Sequence, residues 1–213
     1  MAQSTPEISA LRRSLRALRR TLPYDERLAA ERAIDCSLRR MRLLRRGYRV
    51  AVYLAMPGEV NLQPSIEAAW RAGCNLYVPR VASRRRRTMH FVPLLPGARL
   101  LANAYGIAEP VTSASARVDS RRLDAILMPV VGFDRHGNRL GMGAGYYDRA
   151  LRHLRDGSRR WRRPRLIGLA FACQEVECIV PSAWDIPLDV VVTERAIVVP
   201  QRQHPHRAPR SSP

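Results

Sequence analysis

Leu123-Asp124-Ala125-Ile126-Leu127-Met128-Pro129-Val130-Val131-Gly132-Phe133-Asp134-Arg135-His136-Gly137-Asn138-Arg139-Leu140-Gly141-Met142-Gly143-Ala144-Gly145-Tyr146-Tyr147-Asp148, running on to Leu154, decides how the chain folds. Ile126, Leu127, Met128, Val130 and Val131 form an apolar, β-prone run, the pattern of a strand buried on both faces. Turn residues follow from Asp134 to Asn138, and then Gly141, Gly143 and Gly145 stand at alternate positions. Tyr147, Leu151 and Leu154 recur at helical spacing, which predicts a helix starting near Tyr146. Strand, glycine loop, helix is the order that gathers backbone N–H groups and a helix N-terminus around one anion. Arg139 adds a planar cationic fork suited to phosphate oxygens, and Asp148 stands where a carboxylate can hold a divalent cation on them.

The loop is neither a P-loop, since it lacks the Lys-Ser/Thr pair, nor the dinucleotide fingerprint, whose spacing differs. By glycine spacing alone, a phosphate site and a tight structural turn stay equally open.

Composition narrows the class. At 213 residues with 46% hydrophobic content, one globular domain is expected over residues 8–199, with a flexible N-terminus at 1–7 and a disordered basic tail at 200–213. No apolar run reaches membrane-span length and no signal-peptide core is present, so a cytoplasmic protein without a membrane partner is expected. Cys36, Cys74, Cys173 and Cys178 form no C-x-x-C pair; Cys173 and Cys178 flank an acidic segment, yet buried or idle thiols fit them better than metal ligands. Basic side chains number 37 against 18 acidic ones, a formal charge of +19, and every one is arginine. So positive a field attracts polyanions, whether nucleotide, polyglutamate tail or nucleic acid.

Outward from the central stretch, Ile8, Leu11, Leu15, Leu18 and Leu22 mark a basic amphipathic helix that Pro23 interrupts. A second helix is expected from Tyr24 to Arg46, ending at Gly47. Arg12, Arg13, Arg16, Arg19 and Arg20 read as a solvated face. A strand at Val50–Ala55, a helix at Gln63–Ala72 and a strand at Leu76–Val81 make a βαβ unit, hence a parallel pair. Glu59 then lies beyond the carboxyl end of a strand, where open α/β sheets place ligands. Arg84–Arg87 reads as an exposed loop between strands, since no aromatic residues interleave there to stack bases. Met89–Leu94, Leu166–Phe171, Val190–Thr193 and Ala196–Val199 read as further strands, and Asp156–Pro164 as a basic loop. The class is therefore α/β: a single-domain, mostly parallel sheet flanked by helices.

The string Phe133-Asp134-x-x-Gly137-x-Arg139-Leu140-Gly141-x-Gly143-x-Gly145-Tyr146-Tyr147-Asp148 closely resembles the signature of the 5-formyltetrahydrofolate cyclo-ligase (5,10-methenyltetrahydrofolate synthetase) family. Tyr53 to Glu59, Tyr77 to Arg80, Tyr105 to Pro110 and Trp184 to Leu188 resemble further landmarks in the family's order, over roughly residues 10 to 198. The resemblance implies a Rossmann-like open sheet. It implies ATP-dependent closure of 5-formyltetrahydrofolate to 5,10-methenyltetrahydrofolate, with ADP and phosphate released and Mg²⁺ required. By the same resemblance, Arg12, Arg139, Gly141, Gly143, Gly145 and Tyr147 bind ATP, with Arg139 and Tyr147 catalytic. Leu54, Glu59, Tyr105, Met142 and Tyr146 contact the folate, and Asp148 and Asp185 hold Mg²⁺, with Asp189 a competing carboxylate. One departure stands out: the family carries a lysine four residues before Arg12, and this chain has Ile8. Either a neighbouring arginine supplies that charge or nucleotide affinity is weaker.

The expected partners are the two small molecules, the folate in a polyglutamylated form or not; nucleic acid is not expected, and the protein is expected to be a monomer. His136 reads as an exposed turn residue rather than a base. Two other readings are a non-catalytic folate- or nucleotide-binding paralogue, suggested by Ile8, and a basic RNA-binding protein on the same fold, suggested by the charge.

Overall fold

In the computed structural model, which describes residues 6–155 and 163–200, Pro6 opens the first helix, where a missing N–H costs nothing. That helix, α1, spans Pro6–Arg20, starting two residues earlier than its apolar period suggests. After Pro23, α2 runs Tyr24–Arg40 and stops six residues short of the expected Arg46. Arg42 takes a left-handed φ of 54°, which breaks the helix, while Leu43 still buries its side chain in the core.

The βαβ unit follows as β1 (Arg49–Ala51), α3 (Gln63–Arg71) and β2 (Asn75–Ser83), and β1 and β2 pair in parallel. β1 is shorter than the expected Val50–Ala55, because the chain leaves the ladder after Val52 donates to the Tyr77 carbonyl at 2.8 Å. β2 turns at Arg84–Arg87 into the antiparallel β3 (Thr88–Pro93), so the four arginines form an exposed hairpin tip. A small hairpin, β4 (Leu100–Ala102) and β5 (Ala108–Pro110), carries Tyr105 at its turn.

The central stretch forms β6 (Ala125–Pro129), the hairpin β7 (Gly132–Phe133) and β8 (Arg139–Leu140), and the short helix α4 (Tyr146–Ala150). β9 (Arg165–Leu169), β10 (Val190–Val192) and β11 (Ile197–Val198) complete the sheet. Its seven strands lie in the order β11-β10-β9-β6-β1-β2-β3, the inner five parallel and each edge strand antiparallel. The expected α/β class and mostly parallel sheet are what this chain forms.

β6 buries both faces, as its unbroken apolar run requires. Ala125 and Leu127 join the core beneath α2 and α3, while Ile126 and Met128 join the opposite core with Leu151, Ile186 and Leu188. From β1 the chain winds toward β2, and from β6 toward β9, so the order reverses between β1 and β6. That reversal opens a crevice beyond the carboxyl ends of these two strands, where open α/β sheets bind ligands.

No helix among the described residues is long and apolar enough to cross a membrane. Of the loose N-terminus expected at 1–7, Pro6 and Glu7 are helical and residues 1–5 fall outside the described residues, as do 156–162 of the expected 156–164 loop and 201–213 of the expected 200–213 tail.

Candidate active site

Helix α1 closes the crevice from one side. Its positions 8, 12, 15 and 19 share one face at 100° per residue, so Ile8 and Leu15 alternate there with Arg12 and Arg19. Leu15 packs with Val131, Leu140 and Ile179, with Ile8 and Leu11 alongside. The approach is close because Gly132 has no side chain: a Cβ there would stand 2.5 Å from Leu15 Cδ1. Arg13 and Arg20 are exposed as expected, but Arg19 is 3% exposed and sits over the strand ends. It donates to the Val130 carbonyl at 3.4 Å, just past β6, and lies 3.7 Å from a carboxylate oxygen of Glu59, past β1. Gln174 holds the same strand end from below, donating to the Val130 and Val131 carbonyls at 2.8 Å each.

The β7–β8 hairpin is tied by one buried carboxylate. Asp134 accepts from the backbone N–H groups of His136, Asn138 and Ile179, and from the Asn138 side chain, at 2.9 Å each. This fixes Arg139 at the start of the glycine loop. Gly143 and Gly145 have φ of 95° and 67°, a region that favours glycine, and Gly145 leads directly into α4. From α1, Arg12 donates to the Gly141 carbonyl at 3.0 Å and its guanidinium flanks Gly143.

Arg139 and Asp148 form a largely buried ion pair at 2.5 Å. Arg139 also donates to the Ile186 carbonyl, and the Ile186 N–H lies 3.4 Å from the same Asp148 oxygen. Asp185 accepts from the Ser182 N–H at 2.8 Å and offsets part of the burial that lowers the Arg12 pKa. The two expected metal carboxylates thus address neighbouring residues of one segment. Between that segment and the hairpin lies a cavity of about 220 Å³, bounded by Asn138, Arg139, Ser182, Asp185 and Ile186.

Burial governs the inner electrostatics. Glu59 is pushed above the ordinary carboxylate range by burial, against the pull of the Met56 N–H (3.0 Å), Arg19 and Arg16. Arg19 is lowered by burial, with Glu59 opposing. Both shifts disfavour charge, so desolvation outweighs this rather long pair. Tyr147 is raised by burial and by Glu59, and its hydroxyl is buried without a hydrogen-bond partner among the described residues. Tyr53, raised by burial, donates to the Val60 carbonyl at 2.9 Å.

On the outer side, Tyr105 and Tyr146 meet edge to face, ring centroids 6.1 Å apart, with hydroxyls at 2.8 Å. Asn103 Oδ1 holds the Tyr105 turn through the Tyr105 and Ile107 N–H groups, and the positive charge of Arg84 and Arg87 reaches Tyr146. Met142 is half exposed, and Leu54 packs partly against the core.

Asp189 is elsewhere. It precedes β10 at the amino ends of the strands, accepting from the Leu166 N–H at 2.9 Å and pairing with Arg163, away from Asp148 and Asp185. A larger cavity of about 420 Å³ lies at that end too, away from the glycine loop. His136 is exposed, and Cys173 packs against the core with its thiol pKa raised by burial. Sequence reading took Arg16 and Arg19 for a solvated face and gave Asp134 and Gln174 no role. Arg19 had a signal, the four-three-four spacing of Ile8, Arg12, Leu15 and Arg19.

No group of three or more His, Cys, Asp or Glu side chains able to hold a metal occurs among the described residues. Asp148 and Asp185 are therefore too few to cage a cation alone. They do fit Mg²⁺, which commonly takes one or two carboxylates together with substrate phosphates and water.

The 5-formyltetrahydrofolate cyclo-ligase family model matches residues 4–194. The 5-formyltetrahydrofolate cyclo-ligase of Haemophilus influenzae is 30% identical over 192 residues, 89% of this chain and 99% of that one. The protein of the same name from Escherichia coli strain K12 is 38% identical over 146 residues, 68% of this chain and 76% of its own. The NMR structure of Aquifex aeolicus 5,10-methenyltetrahydrofolate synthetase superposes with a TM-score of 0.74 at 30% identity, covering 95% of this chain and 98% of that one. The chain belongs to the 5-formyltetrahydrofolate cyclo-ligase family and is, by that membership, an enzyme.

Proposed function

We propose that the protein closes 5-formyltetrahydrofolate to 5,10-methenyltetrahydrofolate at the expense of ATP, with the nucleotide's phosphates on the glycine loop and the folate toward Glu59. The observation that carries this reading is the convergence of Arg12, Arg139 and the loop Gly141–Gly145 beside a buried carboxylate at the topological switch point.

An N-formyl group is a poor electrophile because its nitrogen lone pair is delocalised into the carbonyl. In the proposed reaction the formyl oxygen attacks the γ-phosphorus, the bond to the bridging oxygen breaks, and that electron pair leaves with ADP. The formyl carbon becomes iminium-like. N10 of the same folate then adds to it and loses its proton, and the carbon–oxygen bond breaks to release phosphate. Such chemistry asks for positioning and charge neutralisation rather than a protein nucleophile. Arg139 neutralises the transferred charge. The Tyr147 hydroxyl donates to a phosphoryl oxygen, and Arg12 holds the loop against the nucleotide. Leu54, Tyr105, Met142 and Tyr146 line the folate side. Asp148 and Asp185 would hold Mg²⁺ arriving with the nucleotide, and the ion would supply charge screening on the phosphates. We further propose that the enzyme works as a cytoplasmic monomer.

The test is growth of the methenyl-folate absorbance with purified protein, 5-formyltetrahydrofolate, Mg²⁺ and ATP, with controls lacking ATP or carrying Asp148→Ala. ATP-dependent product that is lost in the variant supports the reading. No product, with ATP or folate still raising the melting temperature, points to a binding paralogue instead. Salt-sensitive RNA affinity without any folate effect would point to the nucleic-acid reading.

A further inference from the structure

The inner face of α1 carries three cations in sequence, and two already have partners. Arg12 bonds the glycine loop, and Arg19 bonds the end of β6 beside Glu59. Arg16 lies between them, about 6 Å along the axis from Arg12 and about 4.5 Å from Arg19 at 1.5 Å per residue. Its Nε is buried and makes no hydrogen bond among the described residues. Arg16 is half-buried, and its charge acts on both Glu59 and Arg19, which lie at the crevice. A buried donor without an acceptor costs free energy that a helix surface normally avoids by turning the side chain outward, as Arg13 does one turn's fraction away.

A second observation concerns the missing lysine. Ile8 is packed with Leu15, Val131, Leu140 and Ile179, so no cation enters from the first turn of α1. Charge for a polyphosphate must come from further along the same face.

We propose that Arg16 binds the terminal phosphoryl group of the nucleotide, between the glycine loop and Glu59, and so supplies the charge absent at position 8. This rests on the proposed ATP-dependent reaction. Its planar guanidinium holds the phosphoryl oxygens as the group passes to the formyl oxygen.

The test compares wild type with Arg16→Ala, Arg16→Met, Arg13→Ala, Ile8→Lys and the double variant Ile8→Lys/Arg16→Ala. Each is measured by steady-state kinetics and by calorimetric titration with a non-hydrolysable ATP analogue plus Mg²⁺. Loss of a charge-assisted contact predicts an ATP KM and analogue Kd raised about 10- to 100-fold in both Arg16 variants, with folate KM within about twofold. Ile8→Lys recovers most of that loss in the double variant, and Arg13→Ala changes neither value. Arg16→Met keeps the apolar stem, so a general folding defect in Arg16→Ala is recognised by its absence in Arg16→Met. Unchanged nucleotide affinity in Arg16→Met overturns the proposal, as does a loss confined to folate KM. If wild type binds the analogue but turns nothing over, the titration still decides the role of Arg16 and only the reaction falls. If wild type binds no nucleotide, both fall.

Discussion

Arg139 and Asp148 sit nine positions apart on opposite sides of the glycine loop, yet their side chains meet at 2.5 Å with the arginine 7% exposed. The pair clasps the loop shut across its mouth, and Ile186 seals it through both its carbonyl and its N–H. Breaking one partner of such a pair leaves a buried charge, so Asp148→Ala should cost about 3 kcal/mol of stability in urea unfolding. Replacing both residues by apolar side chains should recover most of it. Full stability in the single variant would show that the clasp holds nothing.

On the proposed reading, in which Asp148 holds Mg²⁺, the same pair sets the order of metal binding. With its carboxylate engaged by Arg139, Asp148 offers little to a cation until phosphates compete for the guanidinium. Calorimetric titration with Mg²⁺ alone should therefore give no saturable heat, and titration in the presence of the non-hydrolysable ATP analogue should. Tight Mg²⁺ binding without nucleotide would contradict this order.

Tyr147 gives a cleaner separation of stability from activity. Its hydroxyl is buried and has no hydrogen-bond partner among the described residues, so Tyr147→Phe removes an unsatisfied group. The melting temperature should stay level or rise, by up to about 1 kcal/mol in stability, while kcat falls tenfold or more. A less stable variant with unchanged kcat would mean the hydroxyl serves the fold instead.

Gly141 tests how near the phosphates come. A Cβ there meets nothing within 4 Å and the residue has no positive φ, so Gly141→Ala should fold as well as wild type. Any rise in ATP KM then belongs to the ligand, and we expect tenfold or more. At Gly145, with φ of 67°, the same change should instead destabilise the protein by about 1–2 kcal/mol. Equal behaviour of the two variants would deny the loop its role.

Glu59 predicts a pH signature. Burial raises its pKa above the ordinary value of 4.5, so the folded protein binds this proton more tightly than the unfolded chain. Stability from this group is then full below the unfolded pKa and is lost as pH rises through the folded one. Glu59→Gln does not titrate, so its stability relative to wild type should increase across that same window. A relative stability that falls with rising pH would mean Arg19 holds the carboxylate charged.

Much of this was legible in the chain. Unbroken apolar runs announced the buried strands, and alternating glycines between a strand and a helix announced the loop, because those signals come from local backbone demands. The end of α2 was not legible: Leu43 and Leu44 continue the helical period, and only tertiary burial draws them inward after the left-handed Arg42. Arg16 and Arg19 were misread for a related reason. In a chain whose every basic residue is arginine, an inward-facing guanidinium looks like its solvated neighbours until the helix is docked. Asp134 and Gln174 depend on carbonyl and N–H groups that only the closed hairpin and strand ends present.

The bond from Arg12 to Gly141 spans 129 residues of chain, and the Ile186 clasp on Arg139 spans a further 47. Helix α1 is thus completed by segments made much later. At about 5–20 residues per second, α1 waits roughly 6–26 s on the ribosome for its glycine loop. A nascent chain stalled before Ile186 would carry the βαβ unit but no closed glycine loop and, with that loop holding the nucleotide as proposed, ligand would rescue only chains synthesised past it.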